Sequence, residues 1–264
     1  EEIAKFRAAR RLWAKIMRER FGAKEPRSWM LRFHTQTAGC SLTAQQPHNN
    51  IVRTALEALA ATLGGTQSLH TNSFDEAYAP PSEEAVTIAV RTQQILGYES
   101  DIAAVVDPLG GSYYIEHLTY SLEKEAGEYI AKIDSIGGAV AAIEQGYQQR
   151  EIQDSSYQYQ KQIESGKRTV VGVNKFVSSY PKIVGLLRVK PEVEKKQRER
   201  TAQVRKDRDN SNVNQALKRL EDVARSKDNT MPAFLECVEA YATEGEICDV
   251  LRKIFSTQKE FLVF

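Results

Sequence analysis

Residues 29–39 read WMLRFHTQTAG, an apolar run that passes into a polar stretch ending in glycine. The apolar part, Trp29–His34, predicts a short buried strand, and the polar residues from Thr35 to Gln46 predict the loop that follows it. Apolar residues at helical spacing then predict a helix over about Asn49–Leu63. Residues 29–63 therefore predict one strand–loop–helix unit.

The same order of elements recurs downstream. A second strand is predicted at Thr66–Thr71, a helix at about Ser82–Leu96, and a third strand at Asp101–Val106. Alternating helices and strands are typical of a parallel α/β fold, and short strands followed by polar loops favour a barrel. Three such units cannot close a TIM barrel, so we expect the remaining strands to come from sequence outside this chain.

Most of the rest of the chain is predicted to be helical. An amphipathic helix is predicted within Glu1–Phe21, and helical spacing resumes at Tyr113. A brief β-like stretch is predicted at Thr169–Asn174. We predict that residues 1–135 contribute βα units of a barrel and that residues 136–264 form a helical linker and tail. Within that tail, the charged region from about Lys190 to Lys227 is predicted to be a solvated helix, and amphipathic helices are predicted at about Asn214–Ser226, Phe234–Tyr241 and Gly245–Phe255.

Composition narrows the class of protein. The 264 residues carry a formal net charge of +1, which predicts neither nucleic-acid nor membrane binding. Three cysteines without CxxC spacing argue against a disulfide framework and a zinc site, and they indicate a cytoplasmic protein. The sequence contains no GxGxxG, HExxH or GxSxG motif, so no dinucleotide, metal or serine-hydrolase site is predicted.

Polar side chains cluster in the loops after the first two predicted strands. The active site of a TIM barrel lies at the carboxyl ends of its strands, so these residues predict a polar ligand face, and Gly39 would let the backbone approach a flat ligand. The alternative is structural, because lone histidines and an acidic pair at a helix start are common without any ligand. The candidates are Arg32, His34, Gln36, Thr37 and Ser41 in the first loop, and Gln67, His70, Asn72, Asp75 and Glu76 in the second.

Several longer motifs carry a family resemblance. RFHTQTAG at 32–39, with SLT at 41–43 and NNIVRT at 49–54, resembles the sixth βα unit of methylmalonyl-CoA mutase large subunits. GGTQSLHTNSFDEA at 64–77 is similar to the seventh unit. DPLGGSY at 107–113 resembles the segment after the eighth strand, and VGVNK at 171–175 resembles the family's linker. The resemblance extends over essentially the whole chain.

The resemblance implies the C-terminal part of a TIM barrel, about strands 6–8, followed by a helical extension. It implies an isomerase that rearranges the carbon skeleton of an acyl-CoA thioester by a radical mechanism, with adenosylcobalamin as the cofactor. The implied partners are the N-terminal half of the large subunit, a small cobalamin-binding subunit, the acyl-CoA and a GTPase chaperone. Substrate-contacting residues are expected upstream of Glu1, so no catalytic residue is predicted here.

The matched motif positions imply the corrin contacts. Gln36 would hydrogen-bond a corrin amide, and Gly39 would lie against the corrin face with His34 nearby. Cys40 and Leu109 stand where the family often has Trp. Both departures resemble the two-subunit, archaeal-type branch, in which a separate small subunit holds cobalamin.

The second loop is implied to hold the adenosine ribose. Asn72 and Glu76 would bind its hydroxyls, and Ala79 would line the same surface. The acyl-CoA stays open among methylmalonyl-, isobutyryl-, ethylmalonyl- and 2-hydroxyisobutyryl-CoA. The alternative function is a non-catalytic interaction module derived from a barrel segment.

Overall fold

The computed structural model describes residues 1–180 and 185–257, which belong to two compact units, Glu1–Arg188 and Val189–Phe264. Among these residues no helix is both long and apolar enough to cross a membrane. The predicted boundary near residue 135, between barrel units and helical extension, stays a prediction.

The first unit contains a small parallel sheet. Strands β1 (His34–Gln36) and β2 (Ser68–His70) pair in register, with Thr35 opposite Leu69. β2 lies within its predicted run, whereas β1 shares only His34 with its predicted run and continues into the predicted loop. Ahead of β1, Pro26 begins a 3-10 helix, Pro26–Trp29, because its fixed φ suits a first helical turn. The predicted strand at Trp29–His34 is therefore wrong over most of its length.

The third predicted strand, Asp101–Val106, is also wrong. These residues form turns, in which the Ala104 N–H donates to the Asp101 carbonyl at 2.9 Å. Asp101 and Asp107 both have positive φ, at 53° and 50°, a region that aspartate tolerates better than most residues. The apolar residues between them, which suggested a strand, are left without a ladder partner in the part of the chain that the structure describes.

The rest of the first unit is mainly helical, and the helices predicted in it are present. The bounds are α1 Glu2–Glu19, α2 Asn49–Leu63, α3 Glu83–Tyr98, α4 Tyr113–Ile136, α5 Ala139–Glu144 and α6 Tyr147–Glu164. Ser82 caps α3 by accepting the Ala85 N–H at 3.2 Å, and Gly64 follows the last residue of α2. The helix α1 packs against α2 and α4, and α2 packs against α3.

An ion-pair cluster joins α1 to the start of α4. The Arg7 guanidinium donates to Asp107 at 3.0 Å and to Glu116 at 2.7 Å, and it also reaches the Thr119 hydroxyl at 3.1 Å. The Arg7 hydrogen bond, with a second from the Gly111 N–H, lowers the pKa of Glu116 to about 2. The turn that replaces the third predicted strand is thereby fixed to the first helix.

The second unit is helical over its described residues. The bounds are α7 Pro191–Asp207, α8 Asn210–Ala224, α9 Met231–Glu239 and α10 Glu244–Phe255. The last three helices pack around buried Val213, Leu220, Ala233 and Cys237. The predicted amphipathic helices are present with bounds shifted by a few residues, whereas the charged region predicted as one helix contains both α7 and α8.

In the first unit, the β-like stretch predicted at Thr169–Asn174 is reduced to a turn with one isolated bridge, between Val171 and Lys175. The chain is thus a helix-rich α/β protein with a small parallel sheet.

Candidate functional site

The two strands of the sheet place four polar side chains on one exposed face. The register sets His34 opposite Ser68 and Gln36 opposite His70, and paired residues in a parallel ladder point to the same side. His34 and Gln36 are exposed, whereas Thr35 between them is half-buried. The Nδ1 atom of His34 lies within hydrogen-bond reach of the Ser68 hydroxyl. Because both strands run the same way, the loops that follow them begin side by side.

Asn72 joins the two loops. Its backbone N–H donates to the Thr37 hydroxyl at 2.9 Å, and its Nδ2 donates to the Thr37 carbonyl at 3.0 Å. Its Oδ1 accepts a hydrogen bond from Gln36 Nε2 at 2.9 Å. Asn72 is only 2% exposed, so these bonds are shielded from water. The loop after β1 and the loop after β2 are therefore held together by a buried amide.

Gly39 lies at the closest approach of the two loops. A Cβ atom at this position would sit 3.0 Å from Glu76 Oε1 and 3.3 Å from Asn72 Nδ2, closer than most van der Waals contacts. The φ of Gly39 is not in the left-handed region, so the need for glycine here is one of space. The exposed Glu76 carboxylate and the backbone of Gly39 are thus immediate neighbours.

Glu57 of α2 holds the other side of the Gly39 turn. Its Oε2 accepts the Ala38 N–H at 2.7 Å, and its Oε1 accepts the Ser41 hydroxyl. Sequence reasoning missed this residue, because a carboxylate on a helix usually faces solvent. The available signal is that Glu57 is the one acidic residue within Asn49–Leu63.

Asp75 and Asn50 are buried and bind the backbone around the site. The Asp75 Oδ2 accepts the Ser82 N–H at 2.9 Å, which fixes the entry into α3. Asn50 donates through Nδ2 to the carbonyls of Thr43 and Phe74, both at 2.9 Å. Both side chains are fully buried. Asp75, grouped in the sequence with ligand-binding candidates, therefore has a structural contact, and Asn50 was not predicted.

Other candidates also bind the backbone or lie at the rim. The Oε1 atom of Gln67 accepts a hydrogen bond from the Phe33 N–H at 2.9 Å, next to the first residues of the sheet. Ala79 is half-buried, one helical turn beyond Asp75. Next to it, Tyr78 donates its hydroxyl to the Ala44 carbonyl. Burial and a hydrogen bond with Tyr180 raise the pKa of Tyr78 above its usual value.

The structure therefore brings five of the six predicted cofactor-binding residues to one edge of the sheet. Gln36, Gly39, Asn72 and Glu76 form a contiguous group, and His34 shares the exposed sheet face with Gln36. Ala79 lies in the same loop, and in the described part of the chain it makes no hydrogen bond to this group. The adjacency of the two loops is observed, and the ligand roles of these residues stay predictions.

Comparison with known proteins shows extensive similarity. The family model described as methylmalonyl-CoA mutase matches residues 1–257. The 2-hydroxyisobutanoyl-CoA mutase large subunit of Aquincola tertiaricarbonis is 47% identical over 268 residues, covering 100% of this chain and 47% of that protein. Methylmalonyl-CoA mutase of Escherichia coli is 44% identical, covering 96% of this chain and 35% of that protein.

A relative named as a large subunit of methylmalonyl-CoA mutase is also similar. The protein from Propionibacterium freudenreichii subsp. shermanii is 41% identical over 261 residues, covering 96% of this chain and 36% of its own length. The chain thus spans between about a third and a half of the curated relatives it matches.

Proposed function

Because the chain belongs to the methylmalonyl-CoA mutase family, we propose that it forms the adenosylcobalamin-facing part of a carbon-skeleton mutase. The substrate would be an acyl-CoA thioester, isomerised as methylmalonyl-CoA is to succinyl-CoA or in a closely analogous way. The observation that supports this most directly is the contiguous group of Gln36, Gly39, Asn72 and Glu76 at the shared carboxyl end of two parallel strands. Ligands of α/β barrels bind at that end of the strands.

We propose that β1 and β2 are neighbouring strands of a TIM barrel. They are parallel, their helix-facing residues are half-buried, and their other face is exposed. An exposed sheet face with unpaired edges is a liability in a finished domain. The remaining strands would come from sequence outside this chain, which covers 47% of the large subunit from Aquincola tertiaricarbonis.

The residues at the site suit the groups that adenosylcobalamin presents. Gln36 uses Nε2 to reach Asn72, and its Oε1 can accept a hydrogen bond from a corrin amide. Gly39 brings no side chain to the edge of the sheet, so a flat ring can approach the backbone. The exposed Glu76 carboxylate can accept hydrogen bonds from two ribose hydroxyls. His34 lies on the same exposed sheet face as Gln36.

Each residue of the proposed site would then have a defined role. When bound, adenosylcobalamin supplies the radical chemistry, and the protein orients it and excludes water. Glu76 would orient the ribose, with Ala79 lining the surface beside it. Asn72 is nearly inaccessible, so its ribose contact stays a prediction, and its observed bonds hold Gln36 and Thr37 in place.

The partners follow from the same proposal. We propose that the chain works with the N-terminal half of the barrel, which would carry the substrate-contacting residues, and with a small cobalamin-binding subunit. Relatives from Aquincola tertiaricarbonis and Propionibacterium freudenreichii are named as large subunits. A GTPase chaperone is a further expected partner.

Reconstitution tests the proposed function. The chain would be co-expressed with the upstream barrel segment and the small cobalamin-binding subunit, and the purified assembly supplied with adenosylcobalamin and a panel of acyl-CoA thioesters. We expect a bound-corrinoid absorbance spectrum and isomerised thioester by mass spectrometry. An assembly that forms but neither binds the coenzyme nor isomerises any thioester would refute the mutase function and favour the interaction module.

A further inference from the structure

We propose that Glu57 is a positioning residue for coenzyme binding, and that it acts through the Gly39 turn without touching the ligand. This inference rests on the proposed function for its consequence, but its structural part stands on contacts within the chain. The Glu57 carboxylate accepts the Ala38 N–H at 2.7 Å and the Ser41 hydroxyl. These two residues flank the glycine on either side, so one side chain holds both ends of the turn.

The turn lies between two carboxylates, of which only Glu57 bonds to it. On one side Glu57 binds it from α2, and on the other side a Cβ at Gly39 would meet Glu76 at 3.0 Å. Within the turn only short backbone bonds are made, from Ser41 to the Ala38 carbonyl at 3.3 Å and from Leu42 to the Gly39 carbonyl at 3.1 Å. The turn is thus held from α2 by Glu57, in addition to the bonds by which Asn72 holds Thr37 to the loop after β2.

The bonds to Glu57 are the strong ones in this set. The Ser41 hydroxyl has one hydrogen, and the Ala38 carbonyl is also within reach at 2.7 Å. Hydrogen bonds to an ionised carboxylate are stronger than those to a neutral carbonyl, so the bond to Glu57 is favoured. The Ala38 N–H has no competing acceptor among its contacts in the described residues.

The surroundings of Glu57 allow a clean substitution. A cavity of about 320 Å³ lies beside it, lined by Phe6, Thr35, Ala38 and Ala60 among others. A glutamine of the same shape therefore fits without steric conflict. Glu57→Gln keeps one acceptor oxygen but loses the charge, whereas Glu57→Ala loses both acceptors. Glutamine and glutamate have similar helix propensities, so α2 should persist in the glutamine variant.

Hydrogen–deuterium exchange of the chain tests the structural part. In Glu57→Ala, the amides of residues 38–42 should exchange about tenfold faster or more, as expected when a bond to a charged group is lost. Glu57→Gln should give a smaller increase in the same segment. Residues 51–63 should exchange as in the parent chain in the glutamine variant, and Glu125→Gln, at an exposed carboxylate of α4, should change neither segment. Unchanged exchange of residues 38–42 in both Glu57 variants would overturn the proposal.

The assembled enzyme tests the functional part. In the two Glu57 variants the apparent KM for adenosylcobalamin should rise at least about threefold, with the KM for the acyl-CoA unchanged, because the weakened hydrogen bonds hold only the Gly39 turn. General loss of structure would raise both constants. If the parent assembly fails to bind adenosylcobalamin, the proposed function fails and the exchange result for Glu57 is unaffected. If the parent binds it and the Glu57 variants bind it equally well, the positioning role is overturned.

Discussion

Gln36 donates a hydrogen bond from Nε2 to the Oδ1 of Asn72 at 2.9 Å, joining the last residue of β1 to the loop that follows β2. These residues are 36 positions apart in the sequence. The bond matters because Asn72 is buried and also binds Thr37 through its backbone and side chain. One amide therefore sets the spacing between the two loops on which the proposed site depends.

Asn72→Ala should destabilise the first unit. It leaves the Thr37 carbonyl and the Gln36 amide without their partner, and the expected loss is about 1–3 kcal/mol of unfolding free energy. Both tryptophans, Trp13 and Trp29, lie in this unit, so their fluorescence during urea denaturation reports its unfolding. Gln153→Ala, at an exposed amide of α6, should change the value by less than about 0.5 kcal/mol. Equal losses of unfolding free energy in the two variants would show that Asn72 does not stabilise the contact between the two loops.

Gln36→Ala and Glu76→Ala should each weaken binding of adenosylcobalamin by the assembled enzyme. If each variant loses one set of hydrogen bonds to the coenzyme, the expected cost is about 1–3 kcal/mol. Equilibrium titration followed by corrinoid absorbance would measure it. Glu125→Gln provides the control for a lost surface charge. Coenzyme affinity that stays at the parent value in both alanine variants would contradict the assigned roles.

Gly39→Ala should weaken coenzyme binding with little effect on folding. The new methyl group would press on the Glu76 carboxylate at 3.0 Å, and that exposed side chain can rotate away at small cost to stability. The Glu76 carboxylate would then no longer lie beside the Gly39 turn. Coenzyme titration and the tryptophan denaturation curve, measured together, separate the two effects.

Gly97→Ala is the matched control for that substitution. Gly97 lies in α3, and a Cβ there would meet nothing within 4 Å. Alanine is favoured over glycine in a helix by about 1 kcal/mol, so this variant should be as stable as the parent or more so, with unchanged coenzyme affinity. A loss of affinity in Gly97→Ala equal to that in Gly39→Ala would mean that the effect is not local to the turn.

The helices could be predicted from sequence because their signals are local. Apolar periodicity, the N-cap at Ser82 and the glycine after Leu63 each depend on neighbours within one or two turns. Strand bounds depend on a partner elsewhere in the chain. Trp29–His34 is apolar enough for a strand, but only its last residue lies in the ladder with β2. The positive φ of Asp101 shows how one turn residue removes a strand that composition favoured.

The adjacency of the two polar loops was predictable, whereas the bonds within them were not. Two loops after neighbouring parallel strands must begin side by side, and the resemblance implied ligand positions within them. Which polar side chains face a ligand and which bind the backbone depends on three-dimensional contacts. Asp75 accepts a hydrogen bond from the Ser82 N–H. Glu57 binds the Gly39 turn from α2, whose sequence pattern predicts only an amphipathic helix. Neither contact has a sequence signature of its own.

The stability of the second unit should depend on acidic pH through Glu246. Arg208 donates to this carboxylate at 2.6 Å, and that bond, aided by the Thr243 N–H and hydroxyl, lowers the pKa of Glu246 from 4.5 to about 2. Because the folded pKa lies below the unfolded one, the stabilisation is complete above about pH 4.5 and is lost as the pH falls toward 2. Glu246→Gln should therefore be less stable than the parent at pH 7.

The difference between Glu246→Gln and the parent should shrink as the pH approaches 2, because the parent carboxylate is then protonated as well. Glutamine can still serve as the capping-box partner of Thr243, so the substitution isolates the charge. Exchange of α10 amides between pH 2.5 and pH 7, corrected for intrinsic rates, would follow this unit by itself. Glu239→Gln, at an exposed carboxylate of α9, should show no such trend. A pH-independent difference for Glu246→Gln would mean that the Arg208 ion pair does not set the acid sensitivity of the second unit.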